Sequence, residues 1–72
     1  MMLSKTERIL ALINFYLPHT DLCQYRYEAD TIAQATRRNS SVSAIEKQVR
    51  RLFPEMEDDL AAAIAAGVKG AL

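Results

Sequence analysis

Residues 30–53 read DTIAQATRRNSSVSAIEKQVRRLF, and this stretch decides how the chain folds. A segment with helical spacing comes first, the polar break Asn39-Ser40-Ser41 follows, and an amphipathic segment carrying Lys47, Arg50 and Arg51 comes last. Asparagine tolerates the left-handed backbone found at helix ends, and serine is a preferred N-cap. The order therefore predicts two helices joined by a short turn, which is the pattern of a helix-turn-helix.

Apolar spacing places both helices of this motif. The first is predicted over residues 27–38, of which 29–38 belong to the motif, because one face carries small side chains and an isoleucine at Ala29, Ile32, Ala33 and Thr36. The second is predicted over residues 41–53, where the apolar positions are Val42, Ile45, Val49, Leu52 and Phe53. Spacings of three and four residues are those of an amphipathic helix. We therefore expect a helix-turn-helix over residues 29–53.

Two more helices are expected outside this motif. Ser4-Lys5-Thr6-Glu7 is a capping box that predicts a helix start, and Pro18 ends that helix because the residue before proline avoids helical geometry. An alanine-rich helix is predicted over residues 55–70, with Pro54 in its first turn. The conformation of residues 18–27 is left open. The predicted fold class is all-α, a single small domain of three to four helices over residues 1–72.

Composition excludes several classes of protein. A chain of 72 residues makes one domain at most, and the single cysteine, Cys23, excludes an intramolecular disulfide and a zinc site built from cysteines. The carboxylates at 55, 57, 58 and 59 diverge on a helix start, and no glycine-rich phosphate loop is present. We therefore expect no metal, no cofactor and no enzymatic activity. The apolar run from Ile9 to Leu17 is too short to span a bilayer, which favours a cytoplasmic protein without membrane contact.

Charge is distributed unevenly along a chain whose formal net charge is zero. Residues 26–51 carry six basic and three acidic side chains, whereas residues 52–72 carry one basic and four acidic ones. A basic middle followed by an acidic end suits a surface that meets phosphate on one face only. Independently of DNA, the acidic residues also suit the first turn of a helix, where the macrodipole favours them.

The helix-turn-helix interpretation assigns roles to eight side chains. The amino-terminal residues of a recognition helix face base edges in the major groove, and nearby basic residues contact phosphates. The residues expected to face bases are Ser41, Ser43, Ala44 and Lys47. Those expected to contact the DNA backbone are Arg37, Arg38, Arg50 and Arg51. The alternative is an ordinary helical hairpin in which the arginines form a solvated face.

Two local resemblances agree with this interpretation. Ile32-Ala33 followed by Ser40-Ser41-Val42-Ser43-Ala44-Ile45 resembles the helix-turn-helix of bacterial and phage regulators, in which an alanine packs in the first helix and serines open the second. The segment from Ser43 to Arg51 is similar to the recognition-helix region of the DNA-binding output domain of sporulation response regulators. These resemblances imply a small transcriptional or mobile-element regulator that binds double-stranded DNA.

The predicted carboxy-terminal helix supports a second functional class. Its apolar side chains recur every four residues, at Leu60, Ile64, Val68 and Leu72. Because the helix predicted over residues 55–70 is the fourth in chain order, α4, we call this set the α4 line. Such a line fits the interface of a homodimer or a groove for another protein, which would make the chain a non-enzymatic interaction module that modulates a partner. It also fits one more core helix of a very small domain. DNA binding and dimerisation are compatible, because helix-turn-helix proteins commonly bind paired half-sites as dimers.

Overall fold

The computed structural model describes residues 3–72, and these form four α-helices. They are α1 (Lys5–Tyr16), α2 (Arg26–Ala35), α3 (Val42–Leu52) and α4 (Asp58–Ala71). This part of the chain contains no strand, so the predicted all-α class is confirmed. Residues 1–2 of the predicted domain lie outside the described residues. No helix within residues 3–72 has both the length and the apolar character needed to cross a membrane.

Helix α1 begins and ends where the sequence predicts. The Ser4 hydroxyl accepts a hydrogen bond from the Glu7 amide at 3.1 Å, which satisfies one of the unpaired amides of the first turn. At the other end Leu17, the residue before Pro18, has an extended backbone and closes the helix through its own amide, which donates to the Ile13 carbonyl. Local sequence signals therefore define both ends.

Helix α2 is shorter at its end than predicted, which moves two arginines out of it. Thr36 is extended, and its hydroxyl donates to the Ile32 carbonyl at 2.7 Å. The Lys5 ammonium group on α1 donates to the Thr36 carbonyl. The prediction of a helix over 27–38 is therefore wrong for residues 36–38, because these contacts end it at residue 35. Arg37 and Arg38 lie in the turn that follows.

Helix α4 begins later than predicted. Residues 54–57 form a turn in which the Met56 amide donates to the Phe53 carbonyl at 3.0 Å, and Glu57 is the N-cap. Pro54 is therefore not in the first turn of the helix, and the predicted start at residue 55 is wrong. Asp58 and Asp59 do occupy the first turn, where their charges complement the helix dipole.

All four helices contribute to one apolar cluster. Helix α1 packs on α2 and on α4, α3 packs on α4, and α2 meets α3 less extensively. The largest apolar side chains that are fully buried are β-branched, and they are Ile9, Ile13, Ile32, Ile45, Ile64, Val49 and Val68. β-branched side chains have few rotamers to lose on burial, which favours a single packed arrangement in so small a core.

The α4 line faces this core. Ile64 and Val68 have exposed fractions of 0%, and Leu60 and Leu72 are half-buried against the same cluster. The expectation that the α4 line forms a partner interface is therefore wrong for Ile64 and Val68, since both are already packed inside their own domain. Spacing alone identifies an apolar face but not the surface that covers it.

The two glycines of α4 lie in different environments, which yields a first prediction. A Cβ atom on Gly67 would lie 2.7 Å from Cδ2 of Leu12, whereas one on Gly70 would meet nothing within 4 Å. We expect Gly70→Ala to raise the free energy of unfolding by about 0.5 kcal/mol, because alanine favours the helical state. Gly67→Ala should gain less or lose stability, since the Leu12 side chain must move. Urea unfolding followed by circular dichroism measures both, and equal gains would contradict this packing of α1 on α4.

Candidate functional site

The predicted helix-turn-helix corresponds to α2, residues 36–41 and α3. Thr36 is the C-cap of α2 and Ser41 is the N-cap of α3, so residues 37–40 lie between the caps. A turn of this length is typical of helix-turn-helix motifs. The Ser41 hydroxyl accepts from the Ala44 amide at 3.1 Å, so of the two serines in the polar break it is Ser41 that forms the N-cap. Helix α3 agrees with its prediction over residues 41–53 once both caps are included.

Lysine side chains from α1 and from α4 bind the backbone of the turn between α2 and α3. The Lys69 ammonium group, on the last turn of α4, donates to the Arg38 carbonyl at 2.9 Å and to the Ser40 carbonyl at 2.5 Å. Lys5 binds the Thr36 carbonyl from α1 in the same way. Within the turn, Ser40 and Arg37 exchange two hydrogen bonds of 2.9 Å. The start of α3 is therefore fixed relative to α1 and α4. Sequence analysis did not identify either lysine.

The residues expected to face bases share one exposed surface. Helix α3 buries Ile45 and Val49, and its opposite side faces solvent. Ser43 and Lys47 are four residues apart and therefore lie one above the other on that side. Within residues 3–72, neither of these two side chains makes a hydrogen bond or an ion pair. All the predicted base-facing residues are exposed, namely Ser41, Ser43, Ala44 and Lys47.

The four arginines expected to contact phosphate are also exposed but lie in two separate places. Arg37 and Arg38 are in the turn before α3, and the Arg38 Nε lies 3.4 Å from the backbone oxygen of Leu72. Arg50 and Arg51 are in the last turn of α3, about 15 Å further along the helix at 1.5 Å per residue. The structure does not bring the two pairs together.

Arg50 is engaged within the protein. Its guanidinium group forms an ion pair with Asp58 at the start of α4 and lies 3.8 Å from Glu46 on the preceding turn of α3. A phosphate at this position would have to compete with two carboxylates. Arg50 is therefore the weakest of the predicted phosphate ligands. Within residues 3–72, the basic residues Arg37, Arg38 and Lys47 form no ion pair with a carboxylate.

The residues at the start of α3 form what we call the α3 N-terminal surface. It joins the turn to the first half of the helix, and its members are Arg37, Arg38, Ser41, Ser43, Ala44 and Lys47. It presents three cationic and two hydroxyl side chains, which suits contacts to phosphate oxygens and base edges.

A second surface, at the other end of α3, was missed by sequence analysis. An open groove of about 590 Å³ lies between the end of α1, the end of α3 and the start of α4. Its apolar lining consists of Leu17, Leu52, Phe53, Pro54, Met56 and Leu60. The sequence feature that could have indicated this groove is Met56. It is an apolar residue within an acidic run, and it does not belong to the apolar face of α3 or of α4. Leu60 is the member of the α4 line that reaches this groove.

Comparison with protein-family models, with curated proteins and with solved structures finds no match for this chain. The resemblance to helix-turn-helix regulators therefore stays a prediction.

Proposed function

We propose that this chain binds double-stranded DNA through the α3 N-terminal surface and acts as a small transcriptional or mobile-element regulator. The observation that carries the proposal is the combination of an exposed, basic start of α3 with a turn that Lys5 and Lys69 hold in place. A recognition helix whose orientation is set before it meets DNA binds more tightly, because flexible side chains and turns lose affinity when they become ordered.

The direction of α3 suits entry into a major groove by its amino-terminal half. The groove is about 12 Å wide and admits one α-helix, whose first residues reach base edges. Lys47 is long enough to contact the acceptor atoms of guanine, and Ser43 can contact any base through its hydroxyl group. The small side chain of Ala44 lets the helix approach closely and offers a methyl group to thymine.

Phosphate contacts are proposed for the turn before α3. Arg37 and Arg38 lie next to the amino terminus of the helix, where the dipole also favours an anion. The acidic residues Glu55, Glu57 and Asp59 lie beyond the opposite end of α3 and would repel a duplex there. The proposal therefore places DNA at the start of α3 and not along its whole length.

Dimerisation is a separate part of this proposal. Operators for helix-turn-helix proteins usually contain two half-sites one helical turn apart, and a homodimer would match them. The α4 line does not support that dimer, because Ile64 and Val68 are buried in the monomer. The mass of the protein in solution, alone and with DNA, is therefore measured alongside binding.

The test is a fluorescence anisotropy titration of a labelled random-sequence duplex at about 50 mM and about 200 mM salt. Each phosphate contact contributes about −0.9 to the slope of log affinity against log salt concentration, so Arg37→Ala/Arg38→Ala should reduce the slope by nearly 2. We expect affinity at the lower salt concentration to fall on the order of tenfold. Arg50→Ala/Arg51→Ala removes the same charge and is the control; it should lower the affinity less, because both residues lie at the far end of α3 and Arg50 is paired with Asp58.

Two results would reject DNA binding by this surface. The first is an absence of binding at the lower salt concentration. The second is an equal loss of affinity in Arg37→Ala/Arg38→Ala and in Arg50→Ala/Arg51→Ala, since that would indicate attraction by overall charge.

A further inference from the structure

The groove beyond the end of α3 has an apolar floor that the domain leaves open to solvent. Leu52 and Phe53 approach from α3, Leu60 from α4 and Leu17 from the end of α1. The Tyr25 ring packs edge to face against the Phe53 ring, with a distance of 5.8 Å between the ring centroids. A volume of about 590 Å³ is within the range of sites that bind a ligand or several side chains of a partner.

The charged side chains of the groove lining are both acidic. Glu55 and Glu57 flank Met56 in the turn before α4, and both are exposed. Asp59 is exposed close by, whereas Asp58 is neutralised by its ion pair with Arg50. The rim therefore carries net negative charge around an apolar floor. An occupant that complements both features has apolar side chains on one face and basic side chains beside them.

An amphipathic helix meets these requirements better than an extended segment. The groove runs between helix ends and offers no strand edge within residues 3–72 for β-pairing. A helix presents anchors at i, i+4 and i+7 on one side, with lysine or arginine at the flanking positions. A second copy of this chain is a poorer candidate, because its three most exposed large apolar side chains, Phe15, Tyr27 and Leu22, lie on α1, on α2 and between the two helices, and so do not form the apolar stripe of one helix.

We propose that this acidic-rimmed groove binds a basic amphipathic helix of a partner protein. Apolar anchors of that helix fill the space above Phe53, Met56 and Leu60, and its lysine or arginine side chains meet Glu55 and Glu57. This proposal goes beyond DNA binding and does not depend on it, since the groove and the α3 N-terminal surface lie at opposite ends of α3.

A designed pair of peptides tests the groove directly. The probe is a 14-residue helical peptide with leucine, tryptophan and leucine at i, i+4 and i+7 and lysines on both sides of this stripe. Its matched control has glutamate in place of each lysine. The protein contains no tryptophan, so the emission of the peptide tryptophan reports its burial without a label. At about 50 mM salt the lysine peptide should bind on the order of tenfold more tightly than the glutamate peptide. Higher salt should reduce this difference.

Surface variants locate the binding without disturbing the core. Glu55→Lys/Glu57→Lys should reverse the preference between the two peptides, because it changes the sign of the rim. Glu7→Lys/Glu28→Lys makes the same change in net charge at residues that do not line the groove and whose carboxylates make no hydrogen bond or ion pair within residues 3–72, and it should leave the preference unchanged. Arg37→Ala/Arg38→Ala, which weakens the proposed DNA contact, should also leave peptide binding unchanged. Loss of DNA binding and loss of peptide binding are thus separate results.

Three outcomes would overturn the proposal. One is failure of the lysine peptide to bind, and another is equal binding of the two peptides at low salt. The third is a dimer of the wild-type protein, seen by sedimentation, that Glu55→Lys/Glu57→Lys dissociates, since the occupant of the groove would then be a second copy.

Discussion

Replacing Ile64 by aspartate is expected to unfold the domain and not to separate two folded copies of it. Ile64 is fully buried in the cluster to which all four helices contribute. An unpaired carboxylate at this position would cost several kcal/mol, and the lost apolar packing would add to that cost. A domain of 72 residues has a total stability of about 4–11 kcal/mol, so one such change removes most or all of it.

Circular dichroism at 222 nm and sedimentation velocity together measure this effect. The control is Ala66→Asp, which places the same charge on the same helix at an exposed position and should lower stability by less than about 1 kcal/mol. A helical monomer for Ile64→Asp, formed from a wild-type dimer, would contradict the core assignment and restore the α4 line as a partner interface.

The second large effect is expected at the two lysines that hold the turn before α3. In Lys5→Met/Lys69→Met the apolar stems remain, but the carbonyls of Thr36, Arg38 and Ser40 lose their charged donors. Hydrogen bonds to charged groups contribute more than neutral ones, and partial exposure reduces the contribution here, so we expect a loss of about 2 kcal/mol for the pair.

Urea unfolding measures that loss, and hydrogen exchange of the Ser40 amide, which donates to the Arg37 carbonyl, reports the local effect. Lys47→Met is the control, since Lys47 is exposed and its ammonium group makes no hydrogen bond or ion pair within residues 3–72. The stability of this variant should stay within about 0.5 kcal/mol of wild type. If the double variant and the control were equally stable, the lysine contacts would not hold the turn.

A loss of DNA affinity in the double variant is expected in addition, because the orientation of α3 depends on this turn.

The parts of the fold that local sequence determines were predictable. Helix α3 has serine at its N-cap and a single apolar stripe, and both signals lie within its own residues. The start of α1 is similar, because Ser4 and Glu7 are neighbours in sequence. These elements need no information from the rest of the chain.

Where the structure differs from the predictions, the cause is contact between residues that are far apart in sequence. One of the contacts that end α2 comes from Lys5, which is 31 residues distant in sequence from Thr36. The sequence around the end of α2 does not contain that contact. The apolar spacing of Ile64 and Val68 is the same whether a second copy or α1 and α3 cover them. The groove is formed where α1, α3 and α4 meet, and only the positions of all three helices reveal it.

The packing of α1 on α4 joins two helices that are synthesised well apart in time, because α2 and α3 lie between them in the chain. Helices α1 and α2 can pair once residue 35 has emerged from the ribosome, yet part of the apolar face of α1 stays uncovered until residue 71 follows. At ~5–20 residues per second this interval lasts about 2–7 s. During this interval Ile9 and Ile13 of α1 are only partly covered. Chaperones, proteases and aggregation can compete with folding until α4 packs against them.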